Sequence, residues 1–285
     1  MSEVFSQDEQ FRKLRLLAPN LVTAISMLFG LSSLLASIEG RHVDSAWLIA
    51  YAVLADRLDG FLARLLRGTS ELGVQMDSLA DFLNFGVAPA VLFFTSLSTR
   101  ESAFASDSGR FVLLIACGAW VLSAMFRLAR FNVGQDLANE SDDRFYFGVP
   151  TTLVAGLMIM WFLALLKYTS PSSAMAPTEP FGGVKLFGEA FTTPSSVWRW
   201  IPALMGLGAI LMVSNMPIPK LGSMRNKPFA AFVLTNVAIG YVFGAMRIFP
   251  EFMIWAPSVW FVLFMLAAFI SKAARQAKPP PLFPN

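Results

Sequence analysis

Residues 56–81 read DRLDGFLARLLRGTSELGVQMDSLAD, and this stretch decides both the fold and the chemistry that we expect. It carries four aspartates, Asp56, Asp59, Asp77 and Asp81, in a largely apolar region. A carboxylate within a membrane helix costs about 2.5–3.5 kcal/mol on insertion scales, so such a residue marks a functional site or a polar cavity by default. Four unpaired carboxylates would cost on the order of 10 kcal/mol, and something must offset that cost.

The spacing of the aspartates predicts that they face one another across two antiparallel helices. Asp56 and Asp59 fall in one stripe of a helix that advances 100° per residue. Asp77 and Asp81 are one turn apart on the next helix, and the intervening RGTSELG reads as a short polar turn. The stripe of the first helix also contains Gly60, Ala63 and Arg64.

Like charges at this density repel unless they are protonated or bridged by cations. Hard oxygen ligands suit Mg²⁺ or Mn²⁺, especially where substrate phosphates complete the coordination shell. The small residues Gly60, Ala63 and Gly73 leave room for a ligand to approach the backbone, and Arg64 offers a fork for phosphate. We therefore expect a divalent metal site with an anionic ligand beside it.

The composition around this stretch indicates an integral membrane protein. Of the 285 residues, 55% are hydrophobic and 14% are charged, against about 25% charged in a soluble domain. The apolar residues form blocks of about 20, which suits membrane helices and not the segments of about 10 that barrel strands need. We expect an all-α bundle of about eight transmembrane helices. Their expected ranges are 19–38, 45–66, 78–98, 110–131, 148–167, 197–214, 228–247 and 254–271.

The distribution of basic residues predicts that both termini are cytosolic. With the N-terminus inside, the inner segments hold twice as many Lys and Arg residues as the outer ones, which also accounts for the net charge of +3 without a nucleic-acid partner. The N-terminal stretch lacks a cleavage site of small residues and reads as a cytosolic lead-in. The expected organisation is a cytosolic segment 1–18, a core of five helices 19–167, an extracytosolic loop 168–196, three further helices 197–271 and a cytosolic Pro-rich tail 272–285.

Other site chemistries lack the residues that they need. His42 is the only histidine and lies in an expected outer loop away from the aspartates, which excludes a mechanism with paired histidines and a Ser-His-Asp triad at this site. With Cys117 as the only cysteine, a metal site rich in His or Cys is excluded too. No glycine-rich phosphate loop follows a strand. A cation-coupled transporter remains as an alternative from another class, although we find no inverted repeat and its acids would not explain the Gly-Ala-Arg spacing.

The pattern D56-x2-D59-G60-x2-A63-R64-x8-G73-x3-D77-x3-D81 is similar to the signature of the CDP-alcohol phosphotransferase family, with eight identities over 26 positions. The resemblance implies that Asp56, Asp59 and Asp77 bind a pair of divalent metal ions, Mg²⁺ or Mn²⁺. It implies that Asp81 completes the cluster and acts as the general base on the acceptor hydroxyl. The residues that it places around the CDP moiety are Asp56, Gly60, Ala63, Arg64, Thr69 and Gly73.

Further segments resemble the phosphatidylserine synthase branch of that family: PNLVTAISMLFG at 19–30, DSLADFLNFGVAPA at 77–90, FRLARFNV at 126–133 and FYFGVPTT at 145–152. This resemblance implies transfer of a phosphatidyl group from CDP-diacylglycerol to L-serine, with release of CMP. It also implies a homodimer in the cell (inner) membrane, with the active site facing the cytoplasm. Glycerol 3-phosphate, inositol phosphate and choline remain as alternative acceptors in the same enzyme class.

Arg127, Arg130 and Asn132 are the candidate acceptor-binding residues. The two arginines lie near the expected cytosolic end of the fourth span, where a cationic pair could hold the carboxylate of serine and an amide could take its ammonium. The same arginines would equally suit an acceptor phosphate, or could anchor the helix end among lipid headgroups. Asn20, at the start of the first expected span, is interpreted as a helix N-cap or a pocket residue, and the cap is favoured.

Overall fold

The computed structural model describes residues 2–66, 70–136, 145–219 and 227–270, and most of these residues are helical. The long helices are α1 (Ser2–Ile38), α2 (His42–Leu66), α3 (Glu71–Asp81), α4 (Ala88–Arg100), α5 (Asp107–Asp136), α6 (Thr151–Lys167), α7 (Ile201–Val213), α8 (Lys227–Ala245) and α9 (Pro250–Ile270). Short 3₁₀ turns span Ser102–Phe104 and Ser195–Trp200. Two short strands, β1 (Phe145–Phe147) and β2 (Pro217–Pro219), pair antiparallel, with Tyr146 opposite Ile218.

The expected helical membrane architecture is confirmed at the level of helix content and apolar length. The described helices overlap each of the eight expected apolar segments. Among the residues that the structure describes, four stretches are long and apolar enough to cross a membrane, namely Leu17–Ile38, Glu71–Arg100, Asp107–Val133 and Ser195–Val213. Charged residues interrupt the apolar run of α2, and two of them, Asp56 and Asp59, belong to the site described below.

The helix that carries Asp77 and Asp81 begins earlier than expected. Ser70 has an extended backbone, and its hydroxyl accepts a hydrogen bond of 3.0 Å from the backbone N–H of Gly73. This is an N-cap, which satisfies a backbone donor of the first turn that has no partner within the helix. Residues 71–73 therefore belong to α3, and the polar connection from α2 is shorter than the sequence suggested.

A π-helical turn at Phe82–Val87 joins α3 to α4, so that the two form one continuous rod. The indole Nε1 of Trp120 donates a hydrogen bond of 3.0 Å to the carbonyl of Phe85 within this turn. Such turns disturb the regular backbone ladder and recur at functional sites. This one lies directly after Asp81, and the fully buried Trp120 ties it to α5.

A stripe of hydroxyls on α1 lies against α2. The Ser33 and Ser37 hydroxyls both contact that of Ser45, at 2.8 and 2.7 Å, and the Ser26 hydroxyl donates to the carbonyl of Ala52 at 3.2 Å. Small polar residues allow close approach of membrane helices and satisfy one another across the interface. The stripe thus fixes α1 alongside the part of α2 that carries Asp56 and Asp59.

A buried ion pair ties the loop after α6 to α9, and we call Lys167, Tyr168 and Glu251 the Lys167–Glu251 cluster. Lys167 Nζ lies 2.7 Å from Glu251 Oε1, and the two side chains are 2% and 1% exposed. The same ammonium donates to the carbonyls of Gly182 and Val184 at 2.8 and 2.9 Å. Through these contacts one lysine orders a connection that has no long helix between α6 and the 3₁₀ turn at 195–200.

Candidate active site

The aspartates expected to face each other do so, at the end of the bundle where α2 ends and α3 begins. Carboxylate oxygens of Asp56, Asp59 and Asp77 all lie within 4.8 Å of one another. Asp59 is 5% exposed, whereas Asp56 and Asp77 are half-buried. The i, i+3 spacing on α2 places its two carboxylates on one face, and α3 brings the third against that face.

Asp81 completes the group from the next turn of α3. Its carboxyl makes a side-chain hydrogen-bonding contact with Asp56. Two carboxyl groups in contact require a shared proton or a cation between them. Among the side chains that the structure describes, no ion pair joins any of the four aspartates to a lysine, an arginine or a histidine. We call these four residues the aspartate cluster.

The donor set and its dimensions fit a divalent cation. Mg²⁺ binds oxygen ligands at about 2.0–2.1 Å, so two ligands on opposite sides of one ion are about 4.2 Å apart. The 4.8 Å spread of Asp56, Asp59 and Asp77 needs only a small contraction to reach that geometry. Carboxylate oxygens without nitrogen or sulfur ligands favour Mg²⁺ or Mn²⁺ over Zn²⁺.

Thr23 of α1 is a site residue that the sequence reasoning missed. Its hydroxyl donates a hydrogen bond of 3.0 Å to Asp59 Oδ2, and the side chain is 5% exposed. A hydroxyl in this position orients the carboxylate toward the other aspartates. The sequence signal was the repetition of small hydroxyl residues along one face of α1, Thr23 and Ser26 among them.

Asn20 is not a helix cap, because α1 already begins at Ser2 and Asn20 lies in the middle of it. Its amide lies against Gly73 instead. A Cβ atom added at Gly73 would be only 2.7 Å from Asn20 Oδ1, closer than real Cβ contacts. The room expected beside Gly73 is therefore occupied by Asn20, which brings a third helix to the site.

The structure describes only some of the remaining candidate CDP-binding residues. Gly60 and Ala63 lie on α2 after Asp59, and both are half-buried. Arg64 lies on the same helix, but its side chain is outside the described part of the structure, as is the whole of Thr69. The roles of these four residues remain predictions.

Of the candidate acceptor-binding residues, Asn132 reaches the helix of the aspartates. Its amide donates to the Ser78 hydroxyl at 2.9 Å, and that hydroxyl lies 3.2 Å from Asn132 Oδ1. Ser78 directly follows Asp77, so this contact places the end of α5 beside the aspartate cluster.

The two arginines take different positions. Arg127 is buried, with 9% of its surface exposed. Arg130 donates from Nη1 to the carbonyl of Val213 at 3.4 Å, near the end of α7. A cation at a helix C-terminus satisfies backbone carbonyls and interacts favourably with the helix dipole. The contact of Arg130 favours an anchoring role, and acceptor binding by both arginines remains a prediction.

Comparison with protein families gives a match over most of the described helical core. A family model described as CDP-alcohol phosphatidyltransferase matches residues 16–183, which is more than half of the chain. The matched range contains the aspartate cluster together with Asn20 and Thr23 of α1, and it ends before α7, α8 and α9.

Curated proteins with similar sequences have related names. A CDP-diacylglycerol–serine O-phosphatidyltransferase from Mycobacterium bovis is 30% identical over 243 residues, covering 83% of this chain and 72% of its own length. An enzyme of the same name from Helicobacter pylori is 34% identical over 152 residues, covering 53% of this chain and 60% of its own. An archaetidylserine synthase from Methanothermobacter thermautotrophicus is 36% identical over 118 residues, 40% of this chain and 46% of its own.

Proposed function

The chain belongs to the CDP-alcohol phosphatidyltransferase family, and we propose that it transfers the phosphatidyl group of CDP-diacylglycerol to the hydroxyl of L-serine, giving phosphatidylserine and CMP. The observation that carries this proposal is the aspartate cluster, in which oxygens of three carboxylates lie within 4.8 Å and no described basic side chain forms an ion pair with them. Serine as the acceptor is supported by the names of relatives at 30% and 34% identity.

Asp81 is the proposed general base. It accepts the proton of the serine hydroxyl, whose oxygen then forms a bond to the phosphorus that carries diacylglycerol. The bond from that phosphorus to the CMP oxygen breaks, and CMP leaves. Two divalent ions, Mg²⁺ or Mn²⁺, held by Asp56, Asp59 and Asp77 with Asp81 would supply charge neutralisation at the pyrophosphate.

The other residues of the site bind and orient. Thr23 holds the Asp59 carboxylate through its 3.0 Å hydrogen bond. Gly60, Ala63, Arg64 and Thr69 surround the CDP moiety, and Gly73 borders it together with Asn20, which fills the space beside this glycine. We assign the serine ammonium to Asn132, which contacts Ser78 next to Asp77. We assign the serine carboxylate to Arg127 and Arg130, for which Arg130 would have to leave its 3.4 Å contact with the carbonyl of Val213. A serine bound there would present its hydroxyl to α3, which carries Asp81.

We further propose eight membrane-spanning helices with both termini and the aspartate cluster on the cytoplasmic side of the inner membrane, in a homodimer. The excess of Lys and Arg in the segments on that side supports this orientation. Single cysteines introduced at the exposed positions Glu71 and Ser172 test it, because Cys117 is buried. A membrane-impermeant thiol reagent added outside should label S172C and leave E71C unlabelled, and the reverse pattern would overturn the orientation.

The enzymatic proposal is tested by CMP release from purified protein in detergent, given CDP-diacylglycerol and Mn²⁺ or Mg²⁺. L-serine, glycerol 3-phosphate, inositol phosphate and choline are offered one at a time. We expect release with serine alone, and its loss when a chelator removes the metal. Release only with another acceptor would keep the aspartate chemistry and overturn the assignment of Arg127, Arg130 and Asn132.

Absence of release with every acceptor, in folded and metal-loaded protein, would contradict the enzymatic proposal. The aspartate cluster would then be an ion-binding site of a transporter. Flux of a cation into proteoliposomes would distinguish this outcome.

A further inference from the structure

Arg57 is a basic residue within α2 for which the proposed reaction has no role so far. It directly follows Asp56, and its side chain is exposed on the flank of the helix. No hydrogen bond or ion pair joins it to another residue among those described. Arginines at membrane depth are rare and pair with an anion or face a polar pathway, so an exposed one beside an active site indicates a ligand.

Helix α8 runs antiparallel along this flank of α2. At one end of the contact the Tyr51 hydroxyl donates to the carbonyl of Ala245 at 3.3 Å. A Cβ atom added at the neighbouring Gly244 would lie 3.7 Å from Leu54 Cδ1. The next turn of α8 toward the site brings Tyr241 to the level of Arg57, and Tyr241 interacts electrostatically with both Arg57 and Asp56.

The donors of Arg57 and Tyr241 suit a phosphate. A guanidinium presents N–H groups in a planar fork that matches phosphate oxygens, and a phenol adds one O–H donor. Asp56 does not account for these donors, because its carboxyl contacts that of Asp81 and is one of the candidate metal ligands. The charge of Arg57 acts on the neighbouring Asp56, but no hydrogen bond to a described residue uses the donors of Arg57 or Tyr241, so they are open to the anion of a ligand.

The depth of Arg57 indicates which phosphate this is. Arg57 precedes Asp59 by two residues, so it lies about 3 Å further from the C-terminal end of α2, which the proposed orientation puts at the cytoplasmic face. A CDP-lipid bound with its nucleotide toward that face has its diacylglycerol on the deeper side. The phosphate nearest to the acyl chains is thus the one at the level of Arg57.

We propose that Arg57, with the Tyr241 hydroxyl beside it, binds the phosphate that is bonded to diacylglycerol. This inference rests on the proposed function, since it assigns a residue to the lipid half of the same donor substrate. It gives α8, which lies outside the matched family range, a part in the site. The pair holds the phosphate at the edge of the aspartate cluster while the acyl chains lie in lipid along α2 and α8.

The test measures two quantities for each variant in neutral detergent micelles. One is the thermal stabilisation of the protein by CDP-diacylglycerol, which needs no acceptor, and the other is the KM for CDP-diacylglycerol in the CMP-release assay. We expect Arg57→Gln to raise this KM about tenfold and to weaken the stabilisation, with the KM for serine unchanged, because a charge-assisted hydrogen bond is lost. Arg57→Lys should recover part of the loss, and Tyr241→Phe should raise the KM about threefold.

Tyr51→Phe is the matched control, because it removes the same hydroxyl from the same pair of helices away from the site. We expect it to change the KM less than twofold. Equal effects of Tyr51→Phe and Tyr241→Phe would show that α8 acts only through packing. An effect of Arg57→Gln that disappears when phosphatidylglycerol is added to the micelles would show a general site for anionic lipid, which overturns the proposal.

Two further outcomes separate this inference from the proposed function. Arg57→Gln protein that is stabilised by CDP-diacylglycerol as strongly as the wild type, with an unchanged KM, contradicts the inference and leaves the proposed function intact. Wild-type protein that CDP-diacylglycerol does not stabilise, and that releases no CMP, contradicts both.

Discussion

Two groups of buried charge in this molecule are built in opposite ways. In the Lys167–Glu251 cluster the ammonium and carboxylate are 2.7 Å apart. The Tyr168 hydroxyl donates to the same carboxylate at 2.6 Å and accepts from the backbone N–H of Phe187 at 2.9 Å. Burial, and then the hydrogen bond to Glu251, raise the pKa of Tyr168 to about 12, so the phenol stays protonated as a donor. The aspartate cluster brings four carboxyl groups together, and Thr23 donates one side-chain hydrogen bond to it.

This difference indicates that the Lys167–Glu251 cluster stabilises the fold and that the aspartate cluster serves the reaction. A buried charge that finds its counter-charge within the chain contributes to the integrity of the fold, and removing one partner is costly. A group of like charges with which no described side chain forms an ion pair is costly in the free protein, and it indicates a binding or catalytic role. Substitutions in the first cluster should therefore change stability, and substitutions in the second should change activity.

The largest effect is expected for Asp81→Asn, which keeps the shape of the side chain and removes the base. CMP release should fall by a factor of about 10²–10⁴, the range for loss of a general base. Thermal stability should stay the same or rise, because one of four mutually repelling carboxyl groups is gone. CMP release and the unfolding midpoint are measured on the same preparation.

Asp107→Asn is the matched control, since Asp107 is exposed at the start of α5. It should change neither quantity appreciably. Full turnover by the Asp81→Asn enzyme would remove the base assignment. Asp59→Ala protein whose metal dependence was unchanged would likewise remove the metal assignment.

In the Lys167–Glu251 cluster, Glu251→Gln should lower the free energy of unfolding by about 3–5 kcal/mol, because it leaves the buried Lys167 ammonium without its counter-charge. For a chain of this size that is a fall of the order of 10 °C in the unfolding midpoint. Turnover per folded molecule at low temperature should be unchanged, since Glu251 lies at the other end of the bundle.

Glu189→Gln is the control for Glu251→Gln, because it breaks the exposed pair with Lys185, in which Glu189 is 83% exposed. Its effect should stay within about 0.5 kcal/mol. A Glu251→Gln protein as stable as the wild type would show that the cluster is not what holds the loop and α9 together.

His42 is a third buried polar group, and it is kept neutral instead of being paired. Burial, with a smaller contribution from Arg100, lowers its pKa to about 4 from 6.5. Since the unfolded chain takes up the proton first as the pH falls, the stabilisation is present above pH 6.5 and is lost progressively toward pH 4, by about 3 kcal/mol in all. His42→Gln should remove about 2 kcal/mol of the loss between pH 6.5 and 5, and an identical pH profile would contradict the assignment.

The parts of the molecule that the sequence predicts are those whose contacts are local. The juxtaposition of the aspartates follows from their spacing along α2 and α3 and from the short connection between these helices. The start of α3 is also predictable in principle, because Ser70 is a good N-cap residue. The polar residues at 67–73 instead favour a turn, and for that reason the expected helix begins too late. The apolar blocks likewise place the helices but not their ends.

Contacts between distant residues were not predictable in this way. Thr23 and Asp59 are 36 positions apart, and the sequence alone does not say which face of α1 meets α2. Lys167 and Glu251 lie at the ends of two helices separated by two others, and in the sequence Lys167 counts only as a basic residue of an outer segment. In each case the pairing is set by how the helices pack, which an apolar helix of uniform composition does not specify.

The smallest effect, on metal binding, is expected for Thr23→Val. Thr23 is an uncharged residue that contacts the aspartate cluster from another helix. The substitution keeps the β-branched shape and removes the 3.0 Å hydrogen bond to Asp59 Oδ2. Loss of such an outer-shell partner weakens metal binding by a factor of about 10 or more, which a titration of the unfolding midpoint with Mn²⁺ would measure without a turnover assay. Ser33→Ala is the control, because Ser33 lies on the same stripe but contacts Ser45 and no aspartate. If both variants bind Mn²⁺ as the wild type does, Thr23 only packs α1 against α2. If Thr23→Val alone binds Mn²⁺ more weakly, the hydrogen bond from Thr23 orients the Asp59 carboxylate for the metal, and the aspartate cluster depends on a contact with α1 for its function.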